Sequence, residues 1–205
     1  LTGPPSLIVD GFYYKIAFII RDMDTNISRL VYAYRNPGNS SPCLAGSDYQ
    51  CDVIDIFYGV SGSPSLAKIG ETVGIAYYHP VNDAVMYAYP YTGSIIGLAN
   101  CGPEPYAYRC ISIYNTGEIG SNVELAFGQT SSDRGIVFTR DDTMIENTLY
   151  VADYVGSNGN CGVDTTFTGS DERWQCDEVV ELTGNLYPSY SIQMDPEGYP
   201  VVAYD

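Results

Sequence analysis

Positive charge is what this chain has least of. Lys15 and Lys68 are its only lysines, seven arginines are scattered along it, and the formal net charge is −16. Binding to a phosphate backbone needs clustered cations that displace counterions, so nucleic acid is excluded as a partner. Histidine occurs once, at His79, and there is no C-x-x-C pair, which excludes a zinc centre built from His and Cys. Long apolar runs are missing as well. The longest, such as residues 15–20, are strand-length and far short of the roughly 20 residues that a membrane-spanning helix needs. No segment sustains an apolar 3.6-residue period, so a helical architecture is excluded too. A charged-then-apolar leader is absent and the chain opens on Leu1, so it reads as a processed or excised segment of a longer precursor.

What the chain does have is a repeat. Cys43 and Cys51 are followed by Cys101 and Cys110, then by Cys161 and Cys176. The first members of the pairs lie 58 and 60 residues apart (43 to 101, 101 to 161). Each pair is preceded by apolar, tyrosine-rich runs: 15–19 and 30–34, 74–78 and 85–89, 135–139 and 149–152. Units of this kind cannot bury their own faces and must stack. We read one repeat domain over 1–205, with units at 1–59, 60–117 and 118–184 and a half unit at 185–205.

Each full unit holds four short runs rich in β-branched and aromatic residues, bounded by Gly, Pro, Asn and Asp turns, which predicts four antiparallel strands. The second and third runs are apolar on both alternating faces, as with Ile16 and Phe18 against Ala17 and Ile19. Such strands are covered on both sides. Small sheets stacked around an axis satisfy this, so the fold class is all-β, with β-propeller-type four-stranded blades, about three and a half in this chain. An elongated β-solenoid is the structural alternative. A small residue at Ala17, Ala76, Val137 and Ala203 is followed each time by an aromatic at Phe18, Tyr77, Phe138 and Tyr204. That alternation suits interlocking of neighbouring sheets better than sugar stacking.

The register of the repeats puts the cysteines of each unit on the same two strands. Three local disulfides follow: Cys43–Cys51, Cys101–Cys110 and Cys161–Cys176. Each closes a short loop at a blade's outer edge, contributing roughly 2 to 3 kcal/mol by loop entropy. Disulfides of this kind belong to an oxidising, extracellular or cell-surface setting.

The strings 154–162 (YVGSNGNCG) and 174–179 (WQCDEV), with 188–195 (PSYSIQMD) and 198–205 (GYPVVAYD), resemble the disulfide-bearing β-propeller repeats of large secreted or surface proteins of environmental bacteria. The likeness spans the chain in period and is sharpest in the last third. The first two units depart from it in shorter cysteine loops and a missing tryptophan. It implies a propeller fold and an extracellular location, and it brings no catalytic residues.

Several candidate sites remain. Asp22, Asp24 and Asn26 place oxygens at alternate positions, as calcium loops do, but the turn glycine and the twelfth-position Glu are missing. The same stretch meets the needs of a hairpin turn, which is the preferred reading, with calcium as the alternative. Asn26 and Asn39 fit the N-glycosylation pattern. The S-x-D-x-G-x-T-W turn of sialidase-type propellers is not matched, since Ser132-Asp133-Arg134-Gly135 runs on into Ile136. His79, before Pro80, reads as a surface-loop histidine. Asp141-Asp142 are adjacent and so need not face one another as paired carboxylates.

The function read from the sequence is therefore that of a non-catalytic, extracellular structural or adhesive repeat protein. Three and a half blades are too few for a closed ring, which takes roughly four to eight. The expected partners are other copies of the chain or adjacent repeats of a longer one, with a filament favoured over a closed pair. A glycan-binding module is the alternative, and a sialidase-like enzyme is the third reading.

Overall fold

The structure is a computed structural model that describes residues 1–38, 43, 47–91, 99–103, 107–143, 146–163, 172–183 and 189–205. Among the described residues there are fifteen strands and no helix, and so no helix long and apolar enough to cross a membrane.

The strands form four antiparallel sheets in chain order. The first contains β1 (Ser6–Asp10), β2 (Tyr13–Asp22), β3 (Ile27–Arg35) and β4 (Tyr49–Tyr58), each paired with the next. The second repeats this with β5 (Ser65–Ile69), β6 (Thr72–His79), β7 (Ala84–Pro90) and β8 (Tyr108–Tyr114). The third has β9 (Glu118–Phe127), β10 (Arg134–Thr143), β11 (Glu146–Tyr154), β12 (Cys161–Val163) and β13 (Glu172–Thr183), in the order β12-β13-β11-β10-β9. It thus has five strands where the repeat predicts four. The longer spacing between its cysteines, 15 residues, leaves room for β12 to pair with the outer edge of β13. The fourth sheet is the hairpin β14 (Tyr190–Met194) and β15 (Pro200–Tyr204).

Register matches from sheet to sheet. Ser6 pairs with Ala17, Ser65 with Ala76, Glu124 with Val137 and Ser191 with Ala203. In the last sheet this places Ser191-Ile192 where Ser6-Leu7 stands. A β-bulge recurs at the fourth position. Ile54, Ile113 and Val179 each have no direct partner on the neighbouring strand, and each lies three residues after the second cysteine of its unit. A bulge adds local twist to a strand, and here it does so at one repeated place.

The core lies between sheets, in three clusters. Ala17, Ile19, Leu30, Tyr32 and Ile54 meet Leu66, Ile75, Tyr77, Met86 and Tyr108. Ala76, Val85, Tyr87 and Ile113 meet Leu125, Ile136, Phe138, Tyr150 and Trp174. Val137 and Leu149 meet Ile192. The small residue of one sheet and the aromatic of the next share a cluster, Ala17 with Tyr77 and Ala76 with Phe138. Small against large across the gap keeps density high without overpacking.

Candidate functional site

All three disulfides form as the spacing predicts: Cys43–Cys51, Cys101–Cys110 and Cys161–Cys176. Their loops of 8, 9 and 15 residues correspond to about 2.5 to 3 kcal/mol each in the loop-entropy picture. The sequence reading missed the device that supports two of them. Asn100 Nδ2 donates to Cys110 O at 2.9 Å, and the Cys110 N–H donates to Asn100 Oδ1 at 2.7 Å. Asn160 does the same with Cys176, at 3.0 and 2.7 Å. The side-chain amide thus stands in for a strand at the edge of β8 and β13. The signal is the string Asn-Cys-Gly at 100–102 and 160–162. Its glycines hold φ of 90° and 71°, and a Cβ on either would lie within 2.5 Å of the ring of Tyr108 or Trp174. The first unit has Pro42 before Cys43 and so lacks the asparagine. Tyr49 and Tyr108 occupy the position that tryptophan takes in the third unit, two residues before the second cysteine.

The candidate calcium stretch folds as a hairpin turn. Asp22 Oδ1 accepts from the Asp24 N–H at 3.0 Å and the Thr25 N–H at 3.4 Å, and the Thr25 hydroxyl together with these bonds holds the Asp22 carboxyl below the usual range. Asn26 sits at a φ of 58°, and its Oδ1 accepts from the Arg21 guanidinium. A cation already occupies the neighbourhood of that oxygen. Among the described residues there is no group of three or more His, Cys, Asp or Glu able to hold a metal. Asn26 is exposed, whereas Asn39 lies outside the described residues.

His79 is not the surface-loop residue that its place before Pro80 suggests. It ends β6, is buried, and packs its ring 5.0 Å from that of Phe57. Its Nδ1 accepts from the Asn82 N–H at 3.2 Å, the task that Asp22 performs in the equivalent hairpin. An accepting Nδ1 leaves the ring proton on Nε2, which faces Asp55 Oδ2 at 3.8 Å. Asp55 Oδ2 also accepts from Tyr77 OH at 2.6 Å. The pair lies between two packed sheets, beside the turn that follows β6.

Arg134, the arginine nearest the sialidase-like string, is spent on packing. Its guanidinium lies 3.7 Å from the centroid of Tyr154, with Tyr87 and Trp174 nearby, and Nη1 donates to Ser131 O at 2.7 Å. Asp141-Asp142 sits within β10, where the register shifts before Thr143.

Polar groups between sheets are committed to holding those sheets together. Both lysines of the chain reach one carboxylate: Lys15 Nζ lies 2.8 Å from Asp10 Oδ2, and Lys68 of the second sheet pairs with Asp10 Oδ1. Hydrogen bonds from the two ammonium groups lower the Asp10 pKa to about 2. Tyr108 OH donates at 2.6 Å to Asp52 Oδ2, and Gln50 amide donates at 2.7 Å to Asp52 Oδ1, so this buried carboxylate is satisfied across the first gap. Burial, with the nearby carboxylates, pushes the Tyr77 and Tyr108 hydroxyls well above their ordinary range. The first strands of successive sheets share a further bond. Ser6 Oγ accepts from the Leu66 N–H at 2.9 Å, and Ser65 Oγ accepts from the Leu125 N–H at 2.9 Å. Segments of all four sheets meet around a cavity of about 410 Å³ lined by Pro4, Ser63, Asn122, Glu124, Ser189 and Tyr190.

Among the described residues, the sheet faces without a partner lie at the two ends of the stack. Leu66, Leu125 and Ile192 are equivalent and only 6, 7 and 6% exposed, because the preceding sheet covers them. Leu7, at the same position in the first sheet, is 54% exposed. Tyr14 and Ile20 on that back face are exposed too. At the other end, Ala17, Ala76 and Val137 are fully buried by the sheet that follows, while Ala203 is exposed. The bulge residue shows the same break: Ile54 and Ile113 are buried, but Val179 is exposed, since the fourth sheet has no described third or fourth strand to cover it.

No family model, no curated protein and no solved structure matches this chain. The functional reading therefore rests on the geometry of the chain itself.

Proposed function

We propose that this chain is a non-catalytic, extracellular structural or adhesive repeat protein of the β-propeller type, completed by self-association, with an open filament favoured over a closed pair. The observation that carries the reading is the pair of uncovered faces, one at each end of a stack whose internal faces are all covered. Exposed apolar sheet faces of this kind mark interaction surfaces. The β15 edge, paired only with β14 among the described residues, adds a template for strand addition. The ends differ from one another, so the contact is head-to-tail, and a head-to-tail contact that does not close makes a fibre. Three disulfides support an oxidising, extracellular setting. Asn26, exposed in a hairpin turn, is the described candidate for a glycan.

A glycan-binding module is the second reading. The exposed aromatics Phe12, in the turn between β1 and β2, and Tyr14 and Tyr58 on the first sheet favour it, since open rings can stack on sugars. Light scattering over a concentration series, with imaging of the particles and a glycan-array screen, separates the two. Ordered polymers without sugar binding support the scaffold. Discrete particles that bind a glycan would replace it with the module, and turnover of an aryl glycoside would defeat both.

A further inference from the structure

Three internal junctions show how one sheet of this chain seats on the next, and two of them share a bond. Ser6 Oγ of the first sheet accepts the Leu66 N–H of the second, and Ser65 Oγ of the second accepts the Leu125 N–H of the third. At the third junction Glu124 stands in the serine's place, with the Ile192 N–H and the Ser191 hydroxyl beside its carboxylate. In each case the acceptor side chain pairs across its own sheet with the small residue of that sheet: Ala17, Ala76 or Val137. In each case the donor belongs to a Leu or Ile whose side chain is buried in the same gap.

The next member of both series is present at an open face. Ser191 continues Ser6, Ser65 and Glu124, pairs with Ala203, and is exposed. Leu7 precedes Leu66, Leu125 and Ile192. It pairs with Ile16 as Leu66 pairs with Ile75, so its N–H points to the open edge of β1 as that of Leu66 points to Ser6. The acceptor at the tail and the donor at the head are thus the two halves of a fourth junction of the same kind.

Resting on the self-association reading, we propose that the occupant of the tail is a second copy of this chain. Its first sheet seats on β14 and β15, with its Leu7 N–H donating to Ser191 Oγ and its Leu7 side chain closing over Ala203. The apolar part of the contact is an internal gap reproduced between molecules. The opposing force is the −16 charge of each copy, which salt screens beyond a Debye length of about 8 Å at 0.15 M. Association therefore strengthens as salt is raised from low values.

The test uses two variants of the 205-residue chain, Leu7→Glu and Ala203→Glu, each changing a residue already exposed in the single chain. Circular dichroism and an unchanged melt at high dilution confirm that both fold. In 0.15 M salt, mass photometry should show wild type growing into multimers and each variant alone remaining at the 22.4 kDa of one chain. Mixed one to one, the variants should form two-chain particles and nothing larger. The intact tail of Leu7→Glu accepts the intact head of Ala203→Glu, and the remaining junction sets Glu against Glu. A wild type that stays single at every concentration defeats the self-association reading itself. A wild type that multimerises while the variants do so too, or while their mixture yields no pairs, leaves that reading standing and overturns this junction.

Discussion

Leu66 and Leu7 are the same residue at the same position of successive sheets, which makes them a controlled pair. Leu66 is 6% exposed and Leu7 is 54% exposed, a difference of 48 percentage points (54 − 6). Truncating a buried leucine to alanine costs the lost transfer energy plus the cavity left behind, about 2 to 5 kcal/mol. Leu66 is closed in by Ala17, Ile75 and their neighbours, so a value of about 3 kcal/mol is expected for Leu66→Ala. Leu7 loses little on truncation while its face is open, and Leu7→Ala should cost under about 1 kcal/mol. For a chain of this length 1 kcal/mol moves the melting temperature by about 2 to 4 °C. Leu66→Ala should therefore lower it by about 6 to 12 °C and Leu7→Ala by under about 4 °C, measured by calorimetry at high dilution. Raising the protein concentration into the assembling range should widen the Leu7→Ala effect and leave that of Leu66→Ala unchanged. Equal shifts at high dilution would refute the stacking on which the argument stands.

Asn160→Ala removes both bonds to Cys176 and leaves a partly buried N–H and C=O unpaired; a loss of about 1 to 3 kcal/mol is expected, with faster reduction of Cys161–Cys176 by thiols, and an unchanged melt would contradict the role. The Asp10 pKa is lowered to about 2, so its contribution is complete above the ordinary 3.8 and is lost as pH falls through about 2. The stability gap between wild type and Asp10→Asn should close over that acid window. Burial raises the Glu124 pKa, so the sign reverses there: its ionisation opposes folding, and Glu124→Gln should gain relative to wild type as pH rises past the carboxylate range. Trp174, the single tryptophan, is fully buried, so its fluorescence should be blue-shifted and shielded from iodide until the chain unfolds.

What was legible in the sequence is what recurs locally. Strand alternation, turn residues and paired cysteines repeat within a few residues of each other, and they mark the antiparallel order and the disulfides. What escaped depends on residues far apart in the chain. Ser6 and Ser65 look like ordinary polar positions of short strands until a partner about 60 residues on is placed beside them. His79 reads as a loop residue because Pro80 follows it, yet the hairpin needs an acceptor there and the imidazole supplies what Asp22 supplies one sheet earlier. Asn100 and Asn160 were visible before their cysteines, but an amide acting as a strand edge leaves no periodic signal. The fifth strand of the third sheet follows only from the longer cysteine loop, whose added length does not itself say whether it pairs.

Amide hydrogen exchange tests the head-to-tail account most directly, by comparing residues 6–20 with their equivalents 65–79 in dilute and in assembled protein. The second stretch is covered within one chain and should exchange slowly in both. In the first, the Leu7 N–H, free at the edge of β1, should exchange quickly in dilute protein and become as protected as that of Leu66 on assembly. A Leu7 N–H that is protected from the start, or that remains open when the protein has assembled, would contradict it.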